Sequence, residues 1–468
     1  MLKWLIKNRI GNKMLNGQLV SLLFCSGNCL SEDEKPVGGK IANGSCLVEM
    51  DTGKIFFYDE EGEQWIEFVN TGGGGGGGGS KTVKRKDVNL VDYDGTVVYS
   101  YTAAEFADLS ALPDAPKHNG LTAQGWNWSL ADAKAYAAAH GELDISQNYI
   151  TVDGKTRVYI TLGGSRLSPS VRFGVNGTAV IEWGDGTASS TLTGANINTI
   201  QSASHTYANP GSYVIKIAVT GKIRISGQNG SSRFIYGATG DASIDMLYPA
   251  TVQKIEFGSG IELGTYALAY CRQMAYVIIP DGTTWYSADH AMNNCTSLKA
   301  VTLPSGTTDI YSDAFSWCSS LTSVSIPNTV TSIGQYAFQN CGSLAYIAIP
   351  NSVTSVDTYA FNACNLMKEC VISGAMTGIP GYMLYECVSL DSLTVPASVT
   401  SIGQYAIGAC SVLSEIHFKR STPPTVSASN AFSGLPADCV IYVPTGSLSA
   451  YTGATNYPSA SRNVYIEE

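Results

Sequence analysis

At 468 residues with 44% hydrophobic content, the chain is long enough for about three or four domains with packed cores. A formal net charge of −10 and a charged fraction of only 14% argue against a nucleic-acid-binding role. The 49 glycines and 26 tyrosines predict a β-rich, turn-rich molecule.

Lys3, Lys7, Arg9 and Lys13 precede the short apolar run Leu19–Phe24. That run falls short of a signal-peptide core and far short of a membrane span. Cys25 follows Phe24 rather than a small residue, which argues against lipid attachment. The reading is synthesis in the cytoplasm, in keeping with reduced thiols. Residues 1–71 are read as an anchoring region. Within it Trp4-Leu5-Ile6 is either a docking segment or a frayed terminus. Gly53–Tyr58, the acidic turn Asp59–Gly62 and Glu63–Phe68 predict a β-hairpin, which resembles short segments near the start of phage tail and baseplate proteins. Gly72–Gly79, closed by Ser80, predicts a flexible linker over 72–80, with a glycine bundle between parallel fibre chains as the alternative.

Residues 81–155 read as a small α/β module whose basic start (Lys81, Lys84, Arg85, Lys86) is a solvated linker end. Strand Thr96–Tyr101 follows Gly95. Ser129 is a predicted N-cap with Asp132 at the third helical position, ahead of Ala131–Ala139 and a stop at Gly141. Trp126 and Trp128 could stack on sugar rings, but beside a helix start they are read as core anchors. Asp87, Asp92 and Asp94 lack the ligand spacing of a calcium loop. The stretch Tyr101–Trp128 resembles a module of gut-phage tail proteins.

Residues 156–222 alternate as short strands: Thr156–Thr161, Ser170–Phe173, Ala179–Trp183 and Tyr213–Val219. With Trp183-Gly-Asp-Gly-Thr187, His205-Thr-Tyr207 and Gly211-Ser-Tyr213, this segment resembles the polycystic-kidney-disease (PKD) immunoglobulin-like sandwich. The resemblance implies two stacked sheets and structural roles for Asp185 and His205. No motif marks a nucleophile beside that pair, and the histidines at 118, 140, 205, 290 and 417 lack metal-ligand spacing. Residues 223–244 are read as a connector.

From 245 to 468 the pattern is periodic. Cys271, Cys295, Cys318, Cys341, Cys364, Cys387 and Cys410 are spaced by 24 residues once and then by 23. A fixed period in the 20s predicts a solenoid whose coils bury apolar residues only by stacking. Six and eight residues after each cysteine stand apolar pairs such as Val324 and Ile326, or Ile347 and Ile349, which predict a strand with one face inward. A proline usually follows, as at Pro327 and Pro350, and pairs such as Val330 and Ile333 open the return side. The coil with Ser373 in place of proline and Met383 in place of alanine is expected to be irregular. In-register cysteines lie about 4.8 Å apart, too far for the roughly 3.5–4.5 Å between disulfide Cβ atoms. They are therefore read as buried thiols acting as small hydrophobes. On that reading Cys341→Ser should cost about 1–3 kcal/mol if the hydroxyl finds no partner.

The segments Ile326–Phe338 and Ile349–Phe361 resemble leucine-rich repeats of the BspA-like type, found in bacterial surface adhesins and in phage tail proteins; Thr422–Thr425, Ala431-Phe432 and Ile441–Gly446 look like the closing cap of such arrays. The expected fold is mainly β and multi-domain: a hairpin region, an α/β module, a PKD-like sandwich and a BspA-like solenoid. The resemblances imply a non-enzymatic attachment protein needing no cofactor. The leading expectation is a phage tail fibre or baseplate receptor-binding protein, held in the virion by its N-terminal region and forming a trimer. The alternatives are a bacterial cell-surface adhesin and, behind it, a glycan hydrolase, which would need paired carboxylates on a cleft. Strand residues flanking the inward slots point outward, so Tyr276, Ile278, Tyr346 and His417 are the candidate receptor-binding face for a cell-surface glycan or protein.

Overall fold

In the repeat region, N–H groups alternate in direction. The computed structural model describes residues 85–163, 166–226, 234–237 and 248–468, together with six strands within 1–83. In the coil ending at Cys318, the N–H groups of Asp313, Phe315 and Trp317 donate to Gln335, Ala337 and Gln339 of the next coil at 2.8–2.9 Å. Those of Ala314, Ser316 and Cys318 donate back within their own coil. This alternation needs two left-handed residues per coil, Asp313 (φ 55°) and Trp317 (φ 63°) here, and Tyr336 (φ 58°) and Asn340 (φ 58°) in the next. Non-glycine residues seldom adopt that conformation. At the first of the two positions the side chains compensate by stacking: Tyr336, Tyr359, Tyr382 and Tyr405 lie ring to ring at centroid spacings of 4.3–5.0 Å.

Every inward slot read from the sequence is buried, Cys370 among them. Strands pair in parallel from coil to coil, for example Ser323–Ser325 on Ala300–Thr302 and Glu415–Phe418 on Ser392–Val395. Phe315, Phe338 and Phe361 stack at 5.3 Å within the core. The coil carrying Ser373 departs from the pattern as expected. Ser373 is fully buried and its hydroxyl donates to the Val353 carbonyl at 2.8 Å. Among the described residues no strand pairing joins the return strands Ser355–Val356 and Gly378–Ile379 on either side of it.

Upstream, the structure corrects the sandwich reading. Strands Ser190–Ser204, Pro169–Glu182, Gly211–Ile225 and Thr156–Leu162 lie side by side, antiparallel, in a single sheet. Its edge does not close on a second sheet. Thr156–Leu162 pairs with the first solenoid strand, Val252–Glu256, and Ile223–Ile225 pairs with Ile261–Leu263. The stretch 223–225, expected in a connector, is therefore strand. The sheet caps the solenoid, because an uncovered first coil would leave its ladder and core exposed. Gly177 pairs with both Gly194 and Gly221, and a Cβ at 177 or 221 would stand 2.0 or 2.2 Å from a neighbouring carbonyl oxygen. Only glycine permits that approach. Asp185 accepts from the Thr187 hydroxyl at 2.6 Å and bonds His205 at 2.7 Å, while His205 stacks on Trp183 and Tyr207 donates to the Trp183 carbonyl. Both residues of this pair tie down a turn.

The α/β module has strand order Val97–Tyr101, Val88–Val91, Leu143–Thr151, Leu121–Trp126. Its long helix, Leu130–His140, starts at the predicted Ser129 cap and stops at Gly141. Residues 1–83 form a separate compact unit, in which Ile55–Asp59 and Gln64–Phe68 pair as the expected antiparallel hairpin. Trp4–Ile6, the glycine run, Lys81 and Lys84 lie outside the described residues, as does most of 227–247.

The cysteines do more than fill space. Six thiols, from Cys295 to Cys410, each donate to a main-chain carbonyl of the preceding coil at 3.2–3.3 Å, as Cys341 does to Phe315. A serine at 341 would find that same acceptor, which corrects the expectation of an unpartnered hydroxyl. We expect Cys341→Ser to be at least as stable as Cys341→Ala in urea unfolding. A serine variant less stable than alanine by more than about 1 kcal/mol would rule out the carbonyl as acceptor. Burial pushes the Cys318 thiol up to about 12, so the repeat cysteines should resist alkylation until the chain unfolds.

Candidate functional site

Alternation along the repeat strands predicts which side chains point outward but not what meets them. Over the first coils the partner is the α/β module. Asn127 donates to the Ser325 carbonyl at 3.2 Å and hydroxyl at 3.0 Å, and the Ser325 hydroxyl donates to the Asp144 carbonyl at 2.6 Å. The Trp128 indole donates to the Ile326 carbonyl at 3.0 Å, and the Tyr136 hydroxyl to Ile349 at 3.3 Å. At the module's other end Asn148 donates to Asp281 at 2.9 Å. Ala348, Tyr346 and Val371 join the module's own apolar core around Phe106, Trp128 and Leu143.

Three of the four expected site residues are consequently covered. Ile278 is 2% exposed. Tyr276 meets Tyr93 of the module edge to face at 6.3 Å. The Tyr346 hydroxyl is buried without a hydrogen-bond partner among the described residues, and burial raises its pKa well above the tyrosine range. Trp128 has the anchoring role read from the sequence, although it anchors one domain to another. The buried Asn127 beside it was the signal available for docking.

His417 lies beyond the module, where the strand face is open. Its ring stacks on Tyr442 at 4.4 Å, and its nitrogens meet Glu468 at 2.9 Å and Glu415 at 3.2 Å. Lys419 also pairs with Glu468. Between this open face and the end of the long helix lies a cleft of about 460 Å³ lined by Ala139, Glu369, Ser392, Thr394 and Lys419. Hydroxyls, a carboxyl and an ammonium on a firm sheet suit hydrogen bonding to a polar ligand, with the stacked rings beside it. Among the described residues no group of acidic, histidine or cysteine side chains could hold a metal ion. No helix among them is long and apolar enough to cross a membrane.

The coil geometry, with parallel short strands on one wall and in-register stacks within, defines a β-solenoid of the leucine-rich-repeat class. The BspA type leucine rich repeat region matches residues 246–368 and 287–414, in six copies. The C-terminal half is thus a solenoid of about 23-residue repeats of BspA-like type. Similar solved structures include a leucine-rich repeat protein from Bacteroides ovatus, 17% identical over 46% of this chain and 72% of its own, with a TM-score of 0.32. A leucine-rich repeat protein from T. pallidum is 24% identical over 34% of this chain and 78% of its own, with a TM-score of 0.26. A leucine rich cell surface protein from Faecalibacterium prausnitzii is 20% identical over 44% of this chain and 70% of its own, with a TM-score of 0.18. No curated protein matches the chain.

One wall of the cleft holds a carboxyl pair. Glu142 of the module is hydrogen-bonded to Glu369 of the solenoid, and burial, then the Glu369 charge, push it up to about 7. Arg85 and the strand residue Asp144 face it from the module, with Arg85 bonded to Asp144 at 2.5 and 2.6 Å. Glu369 is also raised, by burial. A carboxyl raised on folding leaves the folded state holding more protons than the unfolded one between its ordinary value and about 7. The contribution to stability is therefore present at acid pH and lost as pH rises through about 7. Glu142→Gln should make the chain more stable than the parent at pH 8 and flatten the dependence between pH 5 and 8 in urea unfolding. An unchanged slope would show that the pair does not share a proton.

Proposed function

We propose that this chain is a non-enzymatic attachment protein of the bacterial cell surface, recognising a surface glycan or protein with the open end of its strand face. The observation that carries the reading is the division of that face. The module covers the coils up to Val371, and the coils beyond it present hydroxyls, an ammonium and a stacked His417–Tyr442 pair beside a cleft. The match to BspA type repeats supports the cell-surface setting. The virion setting, with its N-terminal anchoring and trimer, keeps only the sequence signals it began with.

The test is attachment to bacterial and epithelial cells by the full chain. Replacing His417 and Lys419 together by alanine should leave the circular dichroism spectrum unchanged and reduce binding about tenfold or more, the equivalent of one lost charged hydrogen bond. Undiminished binding by the folded double variant would overturn the assignment of this face.

A further inference from the structure

The single 24-residue spacing, between Cys271 and Cys295, has a structural counterpart on the opposite, return side of the coils. The return strand Thr284–Trp285 pairs with Glu262–Leu263, and the next one, Asp309–Ile310, pairs with Ser332–Ile333. Among the described residues no strand pairing joins the two to each other. A cleft of about 240 Å³ stands at this break.

Its lining differs from the rest of the ladder. Where later coils place Val330, Val353 and Val399 in the core, these two place Thr283 and Thr307, which are 9% and 4% exposed. Both threonine hydroxyls and the Trp285 indole N–H are buried without a hydrogen-bond partner among the described residues, and all three residues line the cleft. A threonine in a valine slot keeps a methyl group in the core, so one such residue would need no further account. Three unpaired polar groups around one cavity are different. Each costs about 1–3 kcal/mol when left unmade, and native proteins rarely leave them so. Asp309 and Tyr311 complete the wall, with Asp309 accepting from Thr308 at 2.8 Å and the Tyr311 hydroxyl reaching the Trp285 carbonyl at 3.5 Å.

We propose that this break in the return ladder is a binding site for a single sugar ring. The cleft is smaller than the roughly 300–1,000 Å³ that drug-sized ligands occupy. Its chemistry is an indole donor, hydroxyls that both donate and accept, and a carboxylate, beside two aromatic rings. A polyol ring satisfies all of these at once, whereas an apolar ligand would leave the hydroxyls and the indole unpaired. Because the three unpaired atoms are themselves buried, binding on this proposal requires the threonine side chains to turn so that their hydroxyls meet the ring. The site stands apart from the open strand face and does not depend on it.

The experiment is saturation-transfer NMR of the full chain with glucose, galactose and N-acetylglucosamine. At least one should receive transfer. The Thr283→Val/Thr307→Val double variant restores the apolar residues of the other coils, so it should fold with a raised thermal midpoint while its sugar affinity falls about tenfold or more. Trp285→Phe should weaken the same sugar without the gain in midpoint. Equal binding by the parent and the double valine variant would overturn the site, as would the absence of transfer from all three sugars. Either result leaves the attachment reading intact if cells still bind the parent chain through His417 and Lys419. Loss of that attachment dependence would remove the reading without touching the sugar site.

Discussion

Each coil of this molecule is incomplete without the next. The N–H groups of the cysteine-bearing turns alternate between their own coil and its neighbour, and the thiols reach back to the coil before. No coil can therefore satisfy its backbone or bury its apolar slots alone. The rest of the architecture follows from this. The array needs a partner at its start, and the sheet 156–225 supplies one by running its own strands into the ladder. At the far end, Val440–Val443 and Val464–Glu467 extend the strand wall in the same parallel sense.

The same constraint shapes where recognition can occur. A regular ladder pairs its main-chain groups from coil to coil and offers few of them to a ligand, so openings collect where regularity stops. The strand wall stops being covered after Val371, and the return wall stops being paired between Trp285 and Asp309. The tyrosine stack from 336 to 405 illustrates the opposite case. Its rings face one another, offset the cost of their left-handed backbone, and leave mainly their edges to solvent.

The period was legible because each slot has one chemical requirement, repeated. Val324, Ile347 and Cys370 could be aligned without knowing any neighbour, and all are buried. The thiol donors were not legible, since a cysteine in an apolar slot reads the same whether or not its hydrogen is used. The hairpin and the Ser129 helix cap were local and came through. The sandwich reading failed at its edge, because strands such as Thr156–Leu162 announce their own alternation and not the strand they will pair with. For a related reason Tyr276 and Tyr346 point outward, as predicted, but into another domain: alternation fixes a side chain's direction and not its neighbour. Trp128 and Asn127 look like a local core in sequence, and only the fold shows that their partners are some 198 residues away.

The module's contacts reach from Asp281 through Ser325 and Ile349 to Glu369, so one small domain spans several coils of the array. Beyond Glu369 the coils are held chiefly by their neighbours and by the closing segment 444–468. Under a pull at the distal end the uncovered coils peel first, once the bonds of Glu468 to His417 and Lys419 are broken. The peeling front then reaches the strand of Glu369, where coils and module must give way together. The position of the module thus divides the solenoid into a compliant tip and a stiff base, and leaves the open strand face on the compliant part.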